Sequence, residues 1–333
     1  MRAWIAESFG GLDRLKLGEA PVPKPAPGEA LVRVRSAGVV TFDWWILHGT
    51  LDPSFPPITA PLILGNQGMG EIADPGTTGF RKGERVMFAH FAYGFARPGC
   101  WAEYLCVEGD HLGRVPDDMS DEVAANLPTG FVTAYLALEA AGFKPGKRVL
   151  STGIGGSVGN AAYQLARALG AAEVFSTAGS SAKAAQAEKA GYTGIIDLSR
   201  ESMGDGIRRL THGENVDIVI ETIGGQVTAQ ALSCVNRQGT VITLGFTAGN
   251  DSTISLLQLI LMSSRLEGFG VYSRTPEQWR NAYAHVGRLC SEGKVVPLTD
   301  RAFPFEQAPA ALRHLVQDRP FGTVALTVWP GSR

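Results

Sequence analysis

The residues best suited to chemistry lie where a short apolar run, RVLST (148–152), meets the glycine-rich GIGGSVG of residues 153–159. Glycines there permit a tight turn and let backbone N–H groups close on a pyrophosphate. The helix that follows, VGNAAYQLARALG, adds about half a positive charge at its N-terminus. A strand before the turn and a helix after it are the context that a dinucleotide-binding turn requires. About 20 residues further on, an NAD-selective site offers Asp or Glu to the ribose 2′-hydroxyl. This chain has Thr177, Ala178, Gly179, Ser180, Ser181 and then Lys183: hydroxyls, a glycine amide and an ammonium, with no carboxylate among them. Such a set accepts a 2′-phosphate, so the cofactor reading is NADPH.

A second group lies in the N-terminal third. LGNQGMGE (64–71) places Asn66 and Gln67 between glycines, and GVVTFDWW (38–45) carries Thr41, Asp43 and the pair Trp44 and Trp45. The tryptophans offer flat apolar surface to an aromatic or conjugated acceptor. Six histidines form no ligand-spaced pair, and His48, next to the Trp pair, is the one candidate proton donor. Cys100, Cys106, Cys234 and Cys290 lack C-x2-C spacing and read as small buried thiols.

The elements that must position these residues fall into two textures. Up to about residue 115, short β-type runs (MRAWIAE, LKLGEA, ALVRVRSAGV, ERVMFAHF, AEYLCVE) alternate with Pro and Gly, which predicts an irregular, largely antiparallel β domain. From Asp121 a helix, DEVAANLPTGFVTAYLALEAAG, opens a series of buried apolar strands separated by helices. That pattern implies βαβ crossovers and a parallel, doubly wound sheet. After Ser264 the pattern is mixed again and closes on the strand GTVALTV. The domains are therefore expected at 1–120 with 265–333, and at 121–264.

At 333 residues the chain exceeds what one hydrophobic core usually supports. A net charge of −2 with 44% hydrophobic residues argues against nucleic acid or an anionic membrane as partner and for a small molecule. MRAWIAESFG lacks the long apolar core of a secretory signal, and ISLLQLILM (254–262) is too short to cross a bilayer, so a cytoplasmic location is expected.

With the β domain first, the α/β insertion, and the stretches GIGGSVGNAAYQLARALGA and STAGSSAK, the chain resembles the medium-chain dehydrogenase/reductase superfamily, and within it the zinc-free quinone oxidoreductase and enoyl reductase branch. The resemblance covers nearly the whole chain. It implies an α/β fold in which a Rossmann doubly wound parallel sheet is inserted into a discontinuous GroES-like β domain, and it implies a homodimer. It rests further on GCWAEY (99–104), TAY (133–135), LGF (244–246) and RLEGFGVY (265–272). The cofactor residues it implies are Thr129, Thr133, Gly155, Gly156, Ser157, Val158, Thr177, Gly179, Ser180, Lys183, Ile223, Gly245, Phe246, Thr247, Phe269, Gly270 and Val271. The branch's tyrosine beside the adenine-side phosphate is Leu198 here, with Arg200 nearby.

Zinc-dependent members of the superfamily supply Cys, His and Cys where this chain has Val40, Asn66 and Thr129, and neutral oxygens are poor zinc ligands, so no metal is expected. Without a Lewis acid a plain alcohol is a difficult substrate. A quinone or an α,β-unsaturated carbonyl spreads the arriving negative charge onto an oxygen that hydrogen bonds can stabilise. The reading is NADPH-dependent hydride transfer to such an acceptor, with Thr41, Asp43, Trp45 and Gln67 as the catalytic-side residues. The branch's Asn and Tyr positions are Val40 and Trp45 here. An enoyl-thioester reductase and an NADPH-binding protein of crystallin-like type with little turnover remain as alternatives. Whether Gln67 or Asn66 touches the acceptor or braces the pocket wall is open, with bracing preferred.

Overall fold

Strand Glu29–Val39 organises the first part of the chain in a computed structural model that describes residues 1–329. Its alternation puts Ala30, Val32 and Val34 in the core, while Arg33 and Arg35 lie on the other face. Around it runs a seven-stranded sheet: Thr299–Pro304, Thr323–Thr327, Glu29–Val39, Gln67–Asp74, Arg85–Ala89 and Leu112–Arg114 in order, with Tyr104–Glu108 also paired to Glu29–Val39. A smaller sheet joins Leu15–Glu19, Arg2–Ala6 and Leu62–Ile63. Thr323–Thr327 pairs antiparallel with residues 36–39, so the end of the chain returns to complete the sheet that the beginning started. This is a discontinuous β unit: Met1–Thr129, Thr275–Ser291 and Pro297–Arg333, of which residues up to 329 are described.

The second unit comprises Gly130–Arg274 and Glu292–Val296. Its six strands run parallel in the order Ile195–Asp197, Glu173–Ala178, Arg148–Ser151, Val216–Glu221, Val235–Thr243, Arg265–Gly268. Numbered along the chain that is 3-2-1-4-5-6, the doubly wound order whose reversal opens a crevice at the carboxyl ends of strands 1 and 4. The fold is the α/β arrangement expected from the sequence.

Three local features differ from expectation. Helix Asp121–Leu127 lies in the β unit, although the texture change at Asp121 placed it in the other. An ion network explains the placement: Asp121 takes Arg35 at 2.7 Å and Arg85 at 3.0 Å, and Glu71 takes Arg33 and Arg35 at 2.7 Å each. Second, the single helix expected from DEVAANLPTGFVTAYLALEAAG is interrupted by a π-turn, Pro128–Val132, before Thr133–Ala140. Pro128 has no N–H to continue the α pattern. The β domain also holds a helix, Thr41–His48, that the strand-and-turn reading omitted.

Candidate functional site

In the α/β unit the glycine turn and its neighbours gather at the carboxyl ends of the central strands. The chain leaves Arg148–Ser151, turns through Gly153 at φ 75°, and enters helix Ser157–Ala168 with Gly156 as N-cap. The turn is tied to the next strand, since Gly153 N–H donates to Thr177 Oγ1 at 3.0 Å and Ile154 N–H to the Thr177 carbonyl at 2.9 Å. A Cβ on Gly159 would sit 2.2 Å from the Thr152 carbonyl oxygen, so only glycine lets the helix seat against the turn. Gly155, Ser157 and Val158 are half-buried and Gly156 is exposed, which leaves their amides at the mouth of the helix. Gly130, whose Cβ would meet Ser157 Oγ at 2.3 Å, allows the backbone to pass close to that helix start.

After Glu173–Ala178, Ser180 caps helix Ser181–Lys189 by accepting the Lys183 N–H at 3.4 Å. Gly179 has open space where a Cβ would be. Sequence reasoning missed one residue here. Asp197 pairs in register with Ala178, and its carboxylate accepts from Ser181 Oγ at 2.5 Å and Ser199 Oγ at 2.5 Å. Those two hydroxyls hold its pKa below the usual carboxylate range. A carboxylate therefore does stand beside this turn, contributed by the neighbouring strand instead of the second one. No signal within TAGSSAK reveals it.

On the other side of the reversal, Glu221 closes strand Val216–Glu221 fully buried. It accepts from Ile223 N at 2.6 Å, Gly224 N at 2.9 Å, Thr228 Oγ1 at 2.9 Å and Thr243 Oγ1 at 3.0 Å. These bonds hold loop 222–225 and the start of helix Gln226–Leu232, and this residue too was missed from sequence. Ile223, Gly245 and Thr247 come together: Thr247 Oγ1 donates to the Ile223 carbonyl at 3.2 Å, and a Gly245 Cβ would lie 1.9 Å from the Thr222 carbonyl oxygen. Phe246 lies between them in sequence. Phe269, Gly270 and Val271 follow the edge strand, and Phe269 N–H donates to the Thr243 carbonyl at 2.9 Å. Thr133 Oγ1 is buried with no hydrogen-bond partner among the described residues. The open Gly179, the solvent-facing glycine turn and this orphaned hydroxyl fit a dinucleotide.

In the β unit, Asp43 lies in the first turn of helix Thr41–His48 and accepts the Val40 N–H at 3.0 Å. Burial without a cation pushes its pKa up to about 7, against the pull of the Val40 and Gly65 amides. Thr41 opens the helix and Trp45 is half-buried on it. The flat surface expected of the Trp pair is partly taken, because Trp44 stacks on His48 at 3.8 Å and the His48 Nδ1 bonds the Trp44 carbonyl at 2.9 Å. A larger aromatic surface comes from residues that sequence reasoning passed over. Phe42, Phe55, Phe91 and Phe95, from three separate segments, have ring centroids 4.3 to 6.5 Å apart, and the first three are only half-buried.

Gln67 is 2% exposed, and both ends of its residue are in use. Its Oε1 accepts the Thr129 N–H at 3.1 Å, the amide that the π-turn releases, and its carbonyl accepts from Cys100 Sγ at 2.9 Å. Burial, reinforced by the Asp43 charge, raises the Cys100 thiol well above its ordinary range and keeps it unreactive. Asn66 N-terminal to it is 5% exposed, with Oδ1 unpartnered among the described residues, as is Thr129 Oγ1. Nearby, His90 and His111 stack at 3.9 Å, and His111 Nδ1 bonds Tyr93 Oη at 2.9 Å. Burial, and then the neighbouring His111, lowers His90 to about 4, so its imidazole is uncharged at neutral pH.

Comparison with known proteins bears on both units. Residues 26–117 match the family described as alcohol dehydrogenase GroES-like domain, and residues 157–288 that described as zinc-binding dehydrogenase. The synaptic vesicle membrane protein VAT-1 homolog of Rattus norvegicus is 30% identical over 99% of this chain and 85% of its own length. The rat quinone oxidoreductase-like protein 2 is 27% identical over 92% of this chain and 87% of its own. Among solved structures, an NAD-dependent alcohol dehydrogenase aligns with TM-score 0.86 and 28% identity over 99% and 100% of the two chains. The quinone oxidoreductase of Pseudomonas syringae pv. Tomato DC3000 aligns with TM-score 0.86 and 25% identity, over 98% and 99%. The Escherichia coli quinone oxidoreductase complexed with NADPH, at TM-score 0.86 and 24% identity over 98% and 100%, shares the fold.

The second family description names zinc, and the residues in hand do not fit that ion. Val40 offers no donor, Asn66 and Thr129 offer only neutral oxygens, and the nearby Cys100 thiol is held protonated. Among the described residues no three His, Cys, Asp or Glu side chains form a cluster suited to a metal.

Proposed function

This chain is an oxidoreductase that belongs to the medium-chain dehydrogenase/reductase superfamily, in its quinone oxidoreductase-like branch, and we propose that it transfers a hydride from NADPH to a quinone or an activated α,β-unsaturated carbonyl without zinc. The observation that carries the reading is that the glycine turn 153–156 and the Ser180–Lys183 turn follow the carboxyl ends of two adjacent strands, Arg148–Ser151 and Glu173–Ala178, in a unit with doubly wound strand order. When bound, the dihydronicotinamide supplies the hydride and both electrons of the reduction.

What the chain contributes is position. The amides of Gly155, Ser157 and Val158 receive the pyrophosphate, and the Gly156 N–H closes the turn on the Gly153 carbonyl at 2.9 Å. Gly179, Ser180 and Lys183 receive the 2′-phosphate, with the Asp197 carboxylate beside that turn opposing them. Thr133, Thr177, Ile223, Gly245, Phe246, Thr247, Phe269, Gly270 and Val271 line the rest of the cofactor. Loop 222–225 is rigid because Glu221 satisfies its amides. In the β unit, the half-buried rings of Phe42, Phe55 and Phe91 offer a flat apolar face for a conjugated acceptor, with Trp45 beside them on the same helix as Phe42. Asp43 orients the helix start, and Gln67 braces Thr129.

Partners follow from the surface. Helix Leu256–Met262 exposes Leu256, Leu257, Ile260 and Leu261, at 59 to 70%, just before the edge strand Arg265–Gly268. Such a patch beside an open sheet edge suits a second copy of the chain, and a homodimer is the assembly we propose. No helix among the described residues is long and apolar enough to cross a membrane, and a cytoplasmic location is consistent with that.

The test is steady-state oxidation of NADPH and of NADH against a panel of quinones, enones and enoyl thioesters. Turnover of quinones or enones with a preference for NADPH supports the reading. Turnover confined to enoyl thioesters moves the substrate class, and tight NADPH binding without any turnover leaves a binding protein.

A further inference from the structure

The Gly156 N–H closes a β-turn on the Gly153 carbonyl at 2.9 Å, so Ile154 and Gly155 are the two central residues of that turn. A glycine at the third position accepts either orientation of the peptide between them, and the turn by itself leaves open which way the Gly155 N–H faces. In this structure the Ile154 carbonyl accepts from Asn160 Nδ2 at 3.3 Å, between two buried residues. The carbonyl and the N–H of one trans peptide point in opposite directions, so the Gly155 N–H is turned away from Asn160. That N–H donates to no group among the described residues.

Two carboxamides decide the direction. The Val296 N–H can only donate, and it donates to Gln164 Oε1 at 2.7 Å. Gln164 Nε2 therefore faces the Val296 carbonyl at 2.8 Å and Asn160 Oδ1 at 2.8 Å. With its oxygen facing a group that can only donate, Asn160 has only its NH2 left for the Ile154 carbonyl. Each amide sets the orientation of the next, starting from a backbone N–H. Asn160 and Gln164 share a face of helix Ser157–Ala168 at a spacing of i and i+4, which brings the two side chains together. Val296 ends Glu292–Val296, the second stretch of chain in the α/β unit.

We infer that Asn160 and Gln164 are positioning residues of the dinucleotide turn: anchored on the Val296 backbone, they hold the peptide between Ile154 and Gly155 in the orientation that presents the Gly155 N–H to the cofactor pyrophosphate. The assignment rests on the dinucleotide reading above and extends it to two side chains that act through the turn. It has a sign that loss of packing lacks. An oxygen in place of the Asn160 NH2 repels the Ile154 carbonyl and attracts the Gly155 N–H, so the peptide turns over and a pyrophosphate meets a carbonyl instead of a donor. Gln164→Glu reaches the same end from one residue further away. Its second oxygen faces Asn160 Oδ1, the Asn160 amide rotates to donate to it, and the Asn160 oxygen is brought round to Ile154.

The experiment uses the full chain, isotopically labelled, with two readouts. Titration compares NADPH with adenosine 2′-monophosphate, which lacks the pyrophosphate. Gln164→Glu and Asn160→Asp should weaken NADPH by roughly 10- to 150-fold, the range for one hydrogen bond to a charged group, and leave adenosine 2′-monophosphate within about twofold. Gln164→Met removes the polarity without reversing it and should fall between wild type and Gln164→Glu. The second readout is the Gly155 amide proton without cofactor, followed by NMR hydrogen exchange. It should exchange freely in wild type and become protected in Gln164→Glu and Asn160→Asp, where it donates inward. Melting curves verify folding, and Gln164→Glu, at a half-buried position, carries the test if Asn160→Asp does not fold.

Unchanged NADPH affinity in Gln164→Glu would overturn the inference. So would equal losses for NADPH and adenosine 2′-monophosphate, or a Gly155 amide that exchanges alike in wild type and variants. Wild type that binds no dinucleotide would remove the cofactor reading instead, and the Gly155 amide would still decide whether the two carboxamides orient the turn.

Discussion

Asp43 gives the most quantitative test of the reasoning. Its carboxyl is buried at 1% exposure, accepts the Val40 N–H at 3.0 Å, and has its pKa raised by burial from an ordinary 3.8 to about 7. A raised carboxyl pKa means the folded state holds a proton that the unfolded state has already released. Between pH 4 and pH 7 the unfolded chain therefore binds fewer protons, and stability falls as pH rises. The rise spans about three pH units, at about 1.4 kcal/mol each, so about 4 kcal/mol of stability present below pH 4 is lost by pH 7 through this one group. The substitution Asp43→Asn keeps an oxygen for the Val40 N–H and removes the charge. Wild type and variant should match in urea unfolding near pH 4. The variant should pull ahead steadily to pH 7 and hold a lead on the order of 2 to 4 kcal/mol beyond it, the lower figure allowing for relaxation around the charge. The variant should also retain turnover at neutral pH if Asp43 serves to orient the helix start. A difference in stability that does not change with pH, or a wild type that gains on the variant as pH rises, would refute the burial argument.

Other expectations follow from the same geometry. Lys183→Ala should weaken NADPH by roughly 10- to 150-fold in titration, the equivalent of about 1.5 to 3 kcal/mol for a charge-assisted bond, with little change for NADH; equal losses for both would remove the 2′-phosphate assignment. Asp197→Asn should act in the opposite sense and tighten NADPH relative to NADH, since it removes the carboxylate that Ser181 and Ser199 now hold ionised beside that turn. Gly159→Ala should cost about 1 to 3 kcal/mol in denaturant unfolding and weaken both cofactors, because its Cβ would be driven to 2.2 Å from the Thr152 carbonyl oxygen. Ile260→Glu, on the exposed apolar helix, should shift sedimentation from dimer to monomer with each subunit still folded; an unchanged dimer moves the interface elsewhere.

Sequence by itself determined the parts of this protein that rest on local chemistry. Alternating apolar runs specified the buried strands. Glycines at 153–159 could only make sense between a strand and a helix, and the doubly wound sheet follows from strands that alternate with helices, because parallel strands need crossovers. The absence of a thiol or imidazole at Val40, Asn66 and Thr129 was equally plain, since the capacity to coordinate is a property of residue type. What only tertiary structure decided depends on neighbours far apart in the chain. Asp197 reaches the Ser180–Lys183 turn from the next strand, Glu221 spends its carboxylate on loop amides, and four phenylalanines from three segments meet in one surface. Helix Asp121–Leu127 joined the β unit because Arg35 and Arg85 hold Asp121 there. The neighbouring amides of LGNQGMGE were also separated by structure alone: the Thr129 N–H, released by the turn after Pro128, engages Gln67 and leaves Asn66 idle. Hydrogen-bond satisfaction is a property of the folded environment, so two adjacent amides that read alike in sequence can take opposite roles.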